Sequence, residues 1–330
     1  MKKVKLSVRF ARAMENEIFL PTLLVAVCMV LALISKITDS FIYPFSGELL
    51  SPMIAQMIIL IIPLWLALNL AFPQKSPVYM LNALGCRKIS AEHIFLIIFS
   101  SLFMITTSFI INLALGGVYP VSEGFTLLGT FTAGAGEYTT TYPYLVIVYA
   151  AVPAFVEEVM FRGFIFKGFS RRGEFVSIVV STVLAALFTF NPLSLPAAIF
   201  CGLSYCFIRH VTGSLFSCML VHFIFNLYAL FLQTNLAKYF LSAQNTVLLI
   251  IIVIIVWLAS AIFFLTEGAK IFKQRSDKIK EGDCTSSLPD FSFNRLGKNL
   301  KEIFSHRPTL VCAIISAVIF ITISTIGYFD

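Results

Sequence analysis

Residues 245–268 read NTVLLIIIVIIVWLASAIFFLTEG, and nothing charged interrupts the run before Glu267. About 20 predominantly apolar residues are needed for a helix to cross the ~30 Å hydrocarbon core of a bilayer. In lipid every backbone N–H and C=O must be bonded internally, so a spanning segment is a helix or a strand of a closed barrel. Barrel strands alternate in polarity over about ten residues, and this run does not alternate. The stretch therefore predicts a membrane-spanning α-helix.

Eight similar runs lie outside it, near 17–37, 53–72, 93–115, 143–166, 175–191, 194–209, 214–234 and 309–328. The expected fold is all-α, a polytopic transmembrane helix bundle of about nine spanning helices. The fifth and sixth runs are short and meet at Asn191-Pro192, the pattern of a hairpin. Composition agrees. The 330 residues are 58% hydrophobic and only 12% charged, about half the charge of an average soluble domain. Mean hydropathy is +0.91. These values exclude a soluble fold and a disordered chain.

The formal net charge of +7 does not imply nucleic acid, because the basic residues are distributed by topology. All of them except Lys36, Lys238 and Arg162 fall on alternate connections, beginning with the N-terminal arm. Cytoplasmic loops concentrate Lys and Arg, so the N-terminus is expected in the cytoplasm and the C-terminus outside, in a multi-pass protein of the cell membrane. The first run is too long for a cleaved leader and reads as a start-transfer anchor. The seven cysteines form no CxxC pair and no zinc-type cluster with histidine, and five of them lie in apolar runs as small hydrophobes. No internal repeat is visible, which argues against a small-solute transporter.

Ionisable groups inside spanning segments are costly and tend to serve function. Here they reduce to Glu157, Glu158 and Arg162 in the fourth segment and His222 in the seventh, with Asn226 one turn beyond. Glu158 and Arg162 are four apart and share a helix face, so they can neutralise each other. Glu157 lies ~100° round the helix and has no such partner. That makes Glu157 the candidate for chemistry and Glu158–Arg162 the candidate for structure. Pro153, one turn earlier, removes a backbone hydrogen bond and is expected to free the carbonyl of Tyr149. Glu158 and His222 each lie about 12 Å below the cytoplasmic edge of their segments, so the two levels coincide. A carboxylate, an imidazole and an amide at one level suit water activation, with the donors steadying an oxyanion.

Glu157-Glu158-x-x-x-Arg162-Gly163 resembles the EExxxR signature of the CAAX protease and bacteriocin-processing family (CPBP, or Abi), which includes the type II CAAX prenyl endopeptidases. His222-x-x-x-Asn226 is similar to its HxxxN/D motif, and Gly202–Leu215 resembles the stretch that leads into it. Leu84-Gly-Cys-Arg-Lys88 resembles a short cytoplasmic element of bacterial members. The resemblance divides the chain into helices one to three (1–142), a core with both motifs (143–234), and C-terminal helices with a cytoplasmic linker at 269–308. It implies an intramembrane endopeptidase acting on a membrane-associated peptide or protein. Glu157 would activate water, His222 and Asn226 would hold the oxyanion or the water, and Glu158 and Arg162 would support them. One alternative is an inactive member of the same fold, acting in peptide binding, bacteriocin immunity or regulation.

The family's second motif, FxxxH, is degenerate. Its counterpart is Phe188-Thr-Phe-Asn191-Pro192, with Pro192 where the histidine would stand and Asn191 beside it as a supporting candidate. An amide donates hydrogen bonds but exchanges no protons. His93, His210 and His306 lie on other segments or in the linker and do not fill the gap. No cofactor is firmly implied. A divalent metal would have Glu157 and His222 only, short of the usual three protein ligands.

Overall fold

The computed structural model describes residues 18–34, 56–72, 75–116, 142–189, 195–231, 246–280 and 296–326. Among them are eleven helices and no strand: α1 (Phe19–Ile34), α2 (Met57–Ala71), α3 (Pro77–Leu84), α4 (His93–Gly116), α5 (Pro143–Phe169), α6 (Glu174–Leu187), α7 (Leu195–Thr212), α8 (Leu215–Phe231), α9 (Thr246–Lys280), α10 (Leu296–Phe304) and α11 (Arg307–Ile326). Four of them, α4, α5, α7 and α9, are long and apolar enough to cross a membrane. A fifth span results if α10 and the start of α11, bent by 71°, count as one. The helices α1, α2, α6 and α8 are apolar but shorter than 18 residues. Among the described residues, four to five of the nine expected spans reach spanning length. Asn191, Pro192 and residues 117–141 lie outside the described residues, as does Gly282–Pro289.

The chain divides into two compact units. One comprises residues up to Leu84, Val159–Asn191 and Pro289 onward, and the other comprises Gly85–Glu158 and Pro192–Leu288. The boundary falls within α5, directly after Glu158.

In the second unit α4 and α9 pack along their lengths, with α7 and α8 against them. Leu96, Met104, Tyr205, Ile208, Val221, Phe225 and Phe264 form the core. Between helices in lipid, packing and interhelical hydrogen bonds do the work that water exclusion does in soluble proteins. Both devices are present. Trp257 Nε1 donates to Thr107 Oγ1 at 2.8 Å. A Cβ at Gly268 would lie 2.7 Å from the Phe207 ring, so the bare glycine lets α9 close on α7. The α3–α4 connection is tied to the α7–α8 turn: Leu215 N donates to Gly85 O at 2.9 Å and Ser214 Oγ to Arg87 O at 2.6 Å.

In the first unit α6 packs on the Val159–Phe169 part of α5. The short helix α10 is amphipathic, exposing Lys298 and Lys301 and burying Ile303. Arg172 forms a two-pronged ion pair with Glu302, at 2.8 and 3.3 Å, and Asn299 Nδ2 donates to Arg172 O at 3.0 Å.

Candidate functional site

Helix α5 is not uniform. It is π-helical over Val146–Ala151, α-helical over Val152–Glu158 and π-helical again over Val159–Ile165. A π-turn inserts one residue, rotates the faces that follow and loosens the carbonyl ladder. Pro153 has no N–H to offer Tyr149, and the wide turn ends immediately before it, with Val152 N donating to Ile147 O. The carbonyls opened in this way are taken by neighbouring helices. In the first wide stretch Asn226 Nδ2 donates to Ala150 O at 3.4 Å. In the second, Ser181 Oγ of α6 donates to Phe161 O at 2.9 Å. The kink expected from Pro153 is thus a wide turn, and the carbonyl engaged by Asn226 is that of Ala150.

The α-helical segment between the two wide turns carries Glu157 and Glu158, 6% and 0% exposed. Helix α8 brings His222 and Asn226 to the same level, 6% and 2% exposed. The imidazole sits between the two carboxylates. Nδ1 is 2.9 Å from Glu158 Oε1, and Nε2 is 3.9 Å from Glu157 Oε2. The nearer partner of His222 is therefore Glu158, the residue that spacing along the helix pairs with Arg162. Tyr205 of α7 stacks on the other side, its ring centroid 4.9 Å from that of His222 at 22°. With Nδ1–H donated to Glu158, the tautomer is set and Nε2 faces Glu157.

The 3.9 Å separation is too long for a hydrogen bond. It is the span that one water bridges when bonded at ~2.8 Å to both atoms with an angle of about 90° at its oxygen. Asn226 keeps its second Nδ2 hydrogen for another acceptor, and its Oδ1 has no hydrogen-bond partner among the described residues.

Arg162 lies in the second wide turn, within the first unit, 3% exposed, with its guanidinium carbon 5.9 Å from the Phe161 ring centroid. Asn191 is outside the described residues. Of the other histidines, His210 stacks on Phe272 and His306 lies edge-on to Phe19, each away from His222 in the sequence and in its own packing environment. Tyr205 was missed by the reading of charged and amide residues, although it lies within the Gly202–Leu215 stretch. Its aromatic ring carries no charge to mark it in an apolar run.

Among the described residues no group of three His, Cys, Asp or Glu side chains is arranged to hold a metal ion. His222 Nδ1 is committed to Glu158, which leaves Glu157 and Nε2, and these do not make up the usual three-ligand set.

Residues 139–228 match the family model described as type II CAAX prenyl endopeptidase Rce1-like. That stretch is similar to the CAAX protease family. The match covers under a third of the chain, and it contains Glu157, Glu158, Arg162, Tyr205, His222 and Asn226. Members of that family are intramembrane endopeptidases. No curated protein and no solved structure matches the chain. The matched stretch includes all of α5, α6 and α7 and most of α8.

Proposed function

We propose that the protein is an intramembrane endopeptidase in which Glu157 activates water against a peptide bond of a membrane-associated peptide or protein. The observation that carries the reading is the buried imidazole held at 2.9 Å by one carboxylate and facing a second at 3.9 Å. An isolated carboxylate in lipid would protonate and lie idle. Here the second polar face of His222 gives Glu157 a water site.

In the proposed reaction Glu157 takes a proton from the water as its oxygen bonds to the scissile carbonyl carbon. The oxyanion that forms accepts hydrogen bonds from Asn226 Nδ2 and, when Nε2 is protonated, from His222. Collapse of the tetrahedral intermediate breaks the C–N bond, and Glu157 returns its proton to the leaving amine. Glu158 acts through His222 by fixing its ring, and Tyr205 limits its tilt. No step is routed through a metal or another cofactor.

The same reading takes the nine apolar runs as nine passes through the cell membrane, with the N-terminus cytoplasmic, the C-terminus outside and residues 143–234 as the catalytic core. The support is the positive-inside distribution of Lys and Arg. The shorter helices α1, α2, α6 and α8 would then cross with neighbouring residues completing the span. Pro192 at the place of the second-motif histidine favours a different reading, a non-catalytic member that binds peptides in immunity or regulation.

Expression of wild-type and Glu157→Gln protein at equal folded amounts, followed by comparison of new N-termini in membrane proteins, separates the two. Loss of a wild-type cleavage product in Glu157→Gln supports the protease. Identical product sets refute it.

A further inference from the structure

The second unit carries a groove of about 720 Å³ that the proposed reaction does not use. One wall is Ala154 and Phe155 of α5, and the other is Phe216, Leu220 and Phe223 of α8. Lys88, in the α3–α4 connection, lies at one end. The volume is typical of a small-molecule site. The lining contains no carboxylate, and its polar character comes from the Lys88 end.

The orientation follows from the ties already described. Ser214 Oγ holds Arg87 O at the N-terminus of α8, so Lys88 sits at the level where that helix begins. From Ser214 to Phe223 the helix rises about 13 Å. One leaflet of hydrocarbon is about 15 Å deep. The groove thus begins at a basic end and extends along apolar walls for roughly the depth of one leaflet. Ala154 lines the groove with a small side chain on the α5 wall. Phe155, Phe216 and Leu220 are substantially exposed and form flanking walls.

We propose that this groove is a binding site for an anionic phospholipid of the cytoplasmic leaflet, with one acyl chain between α5 and α8 and its phosphate at Lys88. The charge decides the class of lipid. Arg87 and Lys88 are both exposed at this end, so two cations face the headgroup level. A neutral zwitterionic headgroup gains little from them, whereas an anionic one gains ~5-fold in affinity for each basic residue near the surface. Binding requires no cleavage, so the site is independent of the proposed protease activity.

The test uses the full-length protein in nanodiscs of phosphatidylcholine with added phosphatidylglycerol, with retained lipid counted by native mass spectrometry after release. Wild-type protein is expected to retain phosphatidylglycerol over phosphatidylcholine by about 5-fold or more. Lys88→Glu is expected to bring that ratio close to one. Ala154→Phe, or Leu220→Trp should the first not fold, is expected to lower retention of both lipids. Glu157→Gln is expected to leave retention unchanged. Equal retention of the two lipids by wild-type protein overturns the proposal. So does an unchanged ratio in Lys88→Glu, or a groove-filling variant that folds and retains lipid normally. Displacement of the lipid by an apolar peptide at equal charge would also overturn it, because the groove would then be a peptide site.

Discussion

Replacing Glu158 and replacing Glu157 should separate stability from chemistry. His222 Nδ1 and Glu158 Oε1 are 2.9 Å apart, and neither residue is more than 6% exposed. A hydrogen bond to a charged group contributes about 1.5–3 kcal/mol, roughly twice a neutral one. Glu158→Gln keeps the acceptor oxygen and loses the charge, so it should cost about 1–2 kcal/mol. Glu158→Ala strands a buried imidazole N–H and opens a cavity, so it should cost about 3–5 kcal/mol, the range for breaking a buried pair. Glu157→Gln preserves side-chain shape and leaves the His222–Glu158 contact in place, since Glu157 itself is 3.9 Å from His222, beyond hydrogen-bond length. It should cost less than Glu158→Ala, which strands the imidazole. The assay is reversible unfolding of each variant in mixed micelles, followed by helical circular dichroism and Trp fluorescence. The same preparations are used to measure cleavage of the product identified in cells. The expected order of stability is wild type, Glu157→Gln, Glu158→Gln, Glu158→Ala, while Glu157→Gln has the lowest activity. If Glu157→Gln unfolds as readily as Glu158→Ala, or if Glu158→Ala unfolds like wild type, the placement of His222 between unequal partners is wrong.

Two further outcomes follow from the ties at helix ends. Gly85 has φ +91°, a conformation that L side chains rarely adopt, and its carbonyl accepts from Leu215 N. Gly85→Ala should cost about 1–3 kcal/mol of unfolding free energy, whereas Gly297→Ala, with open space around it in α10, should be neutral or stabilising; equal effects would remove the strain argument. Glu302 is held below the ordinary carboxylate range by the hydrogen bond from Arg172, aided by the charges of Arg172, Lys298 and His306. A carboxylate whose value is depressed in the folded state contributes above its unfolded value and loses that contribution as the pH falls through its folded value. Release of α10, read by proteolysis between α9 and α11, should therefore rise as the pH drops below the ordinary glutamate range, and Glu302→Gln should show this release already at neutral pH.

The helical class and the polar side chains of the centre were legible in the sequence for one physical reason. Lipid tolerates few polar groups, so Glu157, Glu158, Arg162 and His222 stand out against apolar runs such as Asn245–Gly268. Periodicity along one helix also relates Glu158 to Arg162 and His222 to Asn226. The span count was less legible. Hydropathy marks where a helix is favourable in lipid, but among the described residues α1, α2, α6 and α8 each show fewer than 18 helical residues, a length that hydropathy alone does not give. The wide turns of α5 were legible only at Pro153, because the second one, over Val159–Ile165, contains no proline to announce it.

By itself, then, the sequence determined which polar side chains stand in an apolar surrounding. Only the tertiary structure decided how they are shared. The order of residues sets contacts within a helix, but the distances between α5, α7 and α8 come from packing. It is packing that puts His222 closer to Glu158 than to Glu157, lays Tyr205 on the imidazole and gives the Ala150 carbonyl to Asn226. It also leaves the groove above Lys88 open, since a cavity is set by what two helices fail to fill.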